Sequence, residues 1–384
     1  MTRFLFVTWD GAGNLVPTLA LARRLAARGH DVRVLGHASI DARCGRHGWR
    51  FRPLRHAADF DSAVGRAEHD DMPAVARQLW FSGDVSRDVG DEVAAEGADV
   101  IVADCLLFGA LCAGEAARIP VVSLFHGAFA PFRAGPFATM LATMVPALNA
   151  LRADLGLAPV TRAGDVHDAC ALSLVANPRE FEPPIDLPDN VVFAGPFLDA
   201  PPLMREDVGE PIEPDGRPLV LVSFSTSQQG HLAVLQRAVD AMGAVDARVL
   251  VTTGPAIDPS SLRGGAHVRI VRFAGHGRVL PHASLVVTHA GMGTVMSSLA
   301  HGVPMLCVPV GRDQFFNAAR VEAIGAGRAL PPTCDAAAIA QAATALLADA
   351  GAAAGARRMA TIIARCGDGA AAVERVERVL AGSR

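Results

Sequence analysis

Hydrophobic positions in this chain fall in short runs, each followed by a longer stretch with helical spacing. Phe4 to Thr8, Asp31 to Leu35, Val100 to Ala103 and Val121 to Leu124 read as strands. Between them, Pro17 to Arg28, stopped by Gly29, and Leu106 to Arg118 read as helices. Such alternation predicts parallel α/β units rather than hairpins. Met72 to Ala95 has a more polar helical pattern, and residues 55 to 71 read as a loop suited to an acceptor-side role. A second series follows, with strands near 219–223, 248–252, 268–271, 285–288 and 305–308. The segment Ala370 to Ala381 places Val373, Val376, Val379 and Leu380 on one side, the pattern of a packing helix.

Nine prolines between residues 182 and 218 separate the two series, a density that suits neither a central strand nor a long helix. With 384 residues the chain is also longer than one core normally holds. The expected fold class is therefore α/β, with two Rossmann-like domains whose strand ends face a cleft. The expected boundaries are 1–200 for the first domain, 201–218 for the linker and 219–365 for the second domain. Residues 366–384 are expected as a C-terminal helix packing back on the first domain.

Charge and composition narrow the chemistry. A net charge of −4 gives no basic stripe for nucleic acid and no polybasic patch for a membrane. The chain has no lysine and no tyrosine, which excludes a Walker lysine, a Schiff-base lysine and a Tyr-Lys dehydrogenase pair. Seven scattered cysteines without a C-x-x-C pair read as reduced thiols in a cytoplasmic protein. The apolar stretch Ile101 to Ala117 is interrupted by Asp104 and Glu115 and is too short for a membrane span. Asp59 and Asp61 spell D-x-D, but in so acidic a loop the match carries little weight, and no metal is expected.

The segment 284–327, "SLVVTHAGMGTVMSSLAHGVPMLCVPVGRDQFFNAARVEAIGAG", places a glycine-rich turn between a strand and a helix. Gly291 and Gly293 allow close backbone approach at a helix start, where free N–H groups favour a phosphate, and His289 can donate to the same anion. The segment resembles the donor-sugar signature of the family-1 glycosyltransferases, inverting enzymes of GT-B fold. The resemblance rests on His289, Gly291, Gly293, Thr294, Gly302 with Pro304, Asp313 with Gln314, and Asn317. Similarity extends over the whole chain and is greatest to actinobacterial enzymes that glycosylate natural products.

The resemblance implies that His289, Gly291, Met292, Gly293 and Thr294 bind the diphosphate, while Asp313 and Gln314 hold sugar hydroxyls. It further implies that Ser225 and Thr226 touch phosphate, and that Phe273 and Val279 hold the base. The implied donor is a thymidine or uridine diphosphate sugar, a deoxysugar by preference. The implied acceptor is a small aromatic or polyketide molecule, and a homodimer is left open.

The family's usual base is a histidine in the turn that here reads Gly13, Asn14, Leu15, Val16, Pro17. Asn14 occupies its position, and a neutral amide is not a general base. Asp104, which ends "VIVAD", matches the aspartate that orients that histidine. Asp10 and Asp104 are therefore the expected bases, with Asn14 beside them and His126 a further candidate. A C-linked product or an acidic acceptor such as a phenol would relax the requirement. Trp80, Phe81, Phe129, Phe132, Phe137, Met140 and Met144 are apolar candidates for the acceptor pocket, although core packing explains each singly.

A dinucleotide oxidoreductase fits poorly, because Val16 replaces the last glycine of G-x-G-x-x-G and the second strand ends without a ribose-binding acid. A nucleotide-sugar epimerase and a noncatalytic nucleotide-sugar-binding partner of another transferase remain the alternatives.

Overall fold

The computed structural model describes residues 1–45, 47–60, 72–198, 215–224, 230–367 and 369–380. The chain divides into two compact units, and the segment after Cys366 belongs to the first of them.

The first unit is built on a parallel sheet of β1 (Arg3–Val7), β2 (Asp31–Gly36), β3 (Arg50–Pro53), β4 (Val100–Asp104), β5 (Val121–Phe125), β6 (Leu172–Val175) and β7 (Val191–Phe193). Its order is β3-β2-β1-β4-β5-β6-β7, so the chain reverses its direction of winding between β1 and β4. In open α/β sheets, ligands bind beyond the carboxyl ends of the strands at such a point, where the two adjacent connections leave a crevice. Central strands are buried on both faces. On β1, Leu5 and Val7 enter one core with Trp80, Phe108 and Phe125. Phe4 and Phe6 enter the opposite core with Leu19 and Leu25 of helix Leu15–Ala27 and with Val373 and Val376 of the C-terminal helix Ala370–Arg378. That helix therefore packs back on the first unit, where Glu377 meets Arg28 at 2.8 Å and His30 at 2.9 Å.

Register sets what meets at the carboxyl edge. Val7 lies beside Ala103 across β1 and β4, and Asp104 lies beside Leu124 across β4 and β5. The last residue of β4 is thus flanked by the exits of both neighbouring strands.

The second unit holds β8 (Leu219–Ser223), β9 (Arg248–Thr252), β10 (Val268–Val271), β11 (Ala283–Thr288), β12 (Met305–Cys307) and β13 (Gly327–Ala329). These are again parallel, in the order β10-β9-β8-β11-β12-β13. Ser223 pairs with Thr288 and with Thr252, so Phe224 and His289 emerge side by side.

Some local expectations change. The helix expected over 72–95 is broken into Met72–Val75, a wide turn at Ala76–Trp80 and Gly83–Glu96, because the Ser82 hydroxyl accepts from Asp84 N–H at 3.1 Å and starts a new helix. The helix expected from Leu106 begins at Phe108, since the Leu106 N–H donates to the Asp104 carboxylate at 2.9 Å. Most of the segment expected as the linker, residues 201–214, lies outside the described residues, as do Asp61 and His69. Among the described residues no single helix is long and apolar enough to cross a membrane.

Candidate active site

At the carboxyl edge of the first sheet the turn after β1 brings Asn14 inward, where it is 1% exposed. Its amide donates to Trp9 O at 3.0 Å and to Asp104 Oδ2 at 3.1 Å. Asp104 is 2% exposed, and its Oδ2 also meets His126 Nδ1 at 2.9 Å. His126 follows β5, and the 24% exposure of its side chain contrasts with 1% for that of Asp104. The backbone after His126 is fixed from β6 outward. Asn177 donates to Gly127 O, and the Glu182 carboxylate accepts from Phe129 N–H at 2.6 Å and Ala130 N–H at 3.0 Å.

Burial alone would push the Asp104 carboxyl up, but His126, the Leu106 N–H and the Asn14 amide together hold it below the usual carboxylate range. Burial pulls His126 down, but Asp104 and Cys105 push it well above 6.5. With Asp104 ionised, the Nδ1 proton of the ring points at the carboxylate, which leaves Nε2 as the basic nitrogen of the neutral form. Asp104, Cys105 and His126 also bring three metal-ligating atom types within 4.8 Å of one another. Burial pushes the Cys105 thiol up to about 11, so it stays protonated and a poor metal ligand.

Asp10 belongs to a different group. Its carboxylate accepts from the Ser39 hydroxyl at 2.7 Å and pairs with Arg43 at 3.6 Å, while its N–H donates to His37 Nδ1. The structure thus unites Asn14, Asp104 and His126 and directs Asp10 toward the segment after β2.

In the second unit the strand end, the turn and the helix start form one group. His289 is 6% exposed and stacks on Phe224 at 5.8 Å. Helix Met292–Ala300 begins at Gly291 with no side-chain cap and no acid in its first turn, so its leading N–H groups are open to an anion. A Cβ at Gly291 would lie 2.6 Å from His289 Nε2, whereas one at Gly293 would meet no protein atom within 4 Å. Met292 and Thr294 flank Gly293 and are largely buried. Asn317 donates to Ala290 O at 3.0 Å and to Asp313 Oδ2 at 2.8 Å, tying the turn to the Asp-Gln pair. Asp313 is exposed, but Gln314 is 2% exposed and its Oε1 accepts from Val310 and Gly311 N–H. Val279 is buried and its N–H donates to Gly275 O, while Phe273 is half-buried. Ser225 and Thr226 lie outside the described residues.

His231 was not singled out by sequence reasoning. It is 1% exposed, precedes helix Leu232–Met242 and also stacks with Phe224, with ring centroids 6.4 Å apart. Neither of its ring nitrogens has a hydrogen-bond partner among the described residues. The available signal was its place one residue before a helix that follows the first strand of the unit.

Burial, helped by nearby Arg312, pushes His231 down to about 4 and His289 to about 3, and burial pushes His167 in the first unit down to about 3. Unfolded, each would take a proton near 6.5 that the folded protein refuses until about pH 4 or below. The unfolded chain binds more protons in that window, so stability falls as pH drops through it, by up to about 1.4 kcal/mol per pH unit for each ring. The melting temperature should decline between pH 6.5 and pH 4. NMR should show these three rings neutral at pH 5, and protonation of all three by pH 6 would contradict this account.

Comparison with known proteins gives these groups a context. Residues 236–375 match the model described as Erythromycin biosynthesis protein CIII-like, C-terminal domain, and residues 16–160 match Glycosyltransferase Family 4. The 4'-demethylrebeccamycin synthase of Lentzea aerocolonigenes is 30% identical over 370 residues, 85% of this chain and 86% of that protein. The chain belongs to the family-1 glycosyltransferases. This glycosyltransferase is also 30% identical to the demethyllactenocin mycarosyltransferase of Streptomyces fradiae over 86% of its own length and 76% of the relative's. Its GT-B fold is shared with the calicheamicin glycosyltransferase CalG4, with a TM-score of 0.80 at 24% identity and coverage of 100% and 99% of the two chains. It is likewise shared with glycosyltransferase VinC, solved in complex with DTDP, with a TM-score of 0.75 at 20% identity and coverage of 99% and 100%.

Proposed function

We propose that this glycosyltransferase moves a sugar, with inversion at the anomeric carbon, from a thymidine or uridine diphosphate donor to a small natural-product acceptor. The observation that carries the donor assignment is the uncapped helix start at Gly291, with His289 beside it and Gly293 exposed above it. That arrangement suits a diphosphate leaving group, and the DTDP bound to VinC supports the choice of nucleotide. Of the proposed sugar-binding pair, Asp313 is exposed while Gln314 is buried against its own loop. Engagement of Gln314 Oε1 by its own loop leaves Asp313 as the exposed member of the pair, which supports a deoxysugar.

The surroundings of Asp104 in the first unit support a single displacement. A retaining double displacement needs a free carboxylate nucleophile. Asp104 is buried, and both of its oxygens are engaged. Trp80, Phe81, Phe129 and Met144 are buried in the core, which leaves Phe132, Phe137 and Met140, shortly after His126, as the partly buried surface proposed for a flat apolar acceptor.

The test is a thermal-shift comparison of nucleoside diphosphates. Thymidine or uridine diphosphate should raise the transition, because a ligand at 100 times its Kd stabilises the native state by about 2.7 kcal/mol. No shift with either pyrimidine nucleotide would overturn the donor assignment.

A further inference from the structure

The geometry points to His126 as the catalytic base of this glycosyltransferase, with Asp104 and Asn14 as the residues that position it. The inference rests on the proposed sugar transfer from a nucleoside diphosphate donor. Asn14 stands where a base would be expected, yet its amide donates to the Asp104 oxygen that also faces His126. The proton-accepting role has thereby moved two strands along the sheet, from the turn after β1 to the loop after β5. Parallel register makes the move short, because Asp104 at the end of β4 is a neighbour of the β1 exit on one side and of the β5 exit on the other.

Asp104 itself is ill placed to accept the proton. Its oxygens already accept from Leu106 N–H and Asn14 Nδ2 and pair with His126, and its side chain is 1% exposed. His126 bonds Asp104 through Nδ1, and no hydrogen bond engages its Nε2 among the described residues, which suits that nitrogen to meet an acceptor. The charged and titratable groups acting on the ring are Asp104 and Cys105. In the transfer step the acceptor oxygen forms a bond to the anomeric carbon while its proton passes to His126 Nε2. The bond from that carbon to the diphosphate oxygen breaks, and its electron pair leaves with the nucleoside diphosphate. Asp104 stabilises the imidazolium that forms, and Asn14 holds Asp104 in place.

The roles separate experimentally in His126→Gln, Asp104→Asn and Asn14→Ala, assayed with an alcohol acceptor and an acidic nitrophenol. His126→Gln should lower turnover with the alcohol by about 10²- to 10⁴-fold. It should lose far less with the nitrophenol, which ionises without help, and should keep the wild-type thermal shift with thymidine diphosphate. The wild-type rate should fall on the acid side as His126 protonates above pH 6.5, and that limb should vanish in His126→Gln. Asn14→Ala should slow turnover while keeping the limb.

Wild-type turnover of the alcohol by His126→Gln, or survival of the acid limb in it, would overturn the base assignment while leaving the donor reading intact. Loss dependent on a chelator and restored by zinc would replace the base with a metal at Asp104, Cys105 and His126. Absence of any nucleotide shift in the wild-type protein would overturn the donor reading and the base assignment together.

Discussion

Asp104→Asn should slow transfer to an alcohol acceptor by about 10²- to 10⁴-fold and move the acid limb of any residual activity to lower pH. The size of the effect follows from a change of proton position. An asparagine at 104 can still accept from Leu106 N–H through its carbonyl oxygen, so the start of helix Phe108–Ala116 keeps its anchor. Its NH2 group then faces the Asn14 amide and His126 Nδ1, which both met a carboxylate oxygen before. His126 must accept at Nδ1, its proton moves to Nε2, and the nitrogen that should receive the acceptor's proton already carries one. Removing the carboxylate also removes what lifts the imidazole above its ordinary range, which gives the direction of the limb's shift. An unchanged rate and limb would show that the contact between Asp104 and His126 is only structural.

Gly293→Ala should leave the free protein as stable as before, or more stable by about 0.4–1 kcal/mol, and weaken donor binding at least tenfold. Gly293 is exposed, has an ordinary helical neighbourhood, and a Cβ there would meet no protein atom within 4 Å. Packing therefore does not require the glycine, and alanine reduces the entropy of the unfolded chain. What requires it, in this account, is close approach of a diphosphate to the helix start. Gly291→Ala is a different case, because its Cβ would displace the His289 ring and so confound binding with local packing. A Gly293→Ala protein that binds thymidine diphosphate with wild-type affinity would remove the phosphate from this turn.

Strands β1, β2, β4 and β5 of the first sheet were legible because burial on both faces writes them as near-continuous apolar runs, whereas interior β6 was missed, its four residues broken by Ser173. β3, with Arg50 and Arg52 alternating with Phe51 and Pro53, was not legible, because an edge strand needs no such run. Short β7 and β13 gave too little pattern to register. At the donor turn the sequence named His289, Gly291 and Gly293 directly, since local spacing carries that chemistry. The acceptor side was harder. Asn14, Asp104 and His126 lie on three separate loops, and only the strand order β1-β4-β5 makes them neighbours. The sequence offered His126 only as a further candidate, because local spacing does not carry that order. Asp10, close to Asn14 in sequence, is drawn by Ser39 and Arg43 into another group.

A single displacement assisted by one base inverts the anomeric carbon, so the stereochemistry of the product reports it. The enzyme would be supplied with an α-linked thymidine diphosphate sugar and a phenolic or alcohol acceptor, and the anomeric coupling of the product read by NMR. A β-linked product should form in step with nucleoside diphosphate release. An α-linked product would contradict a single displacement.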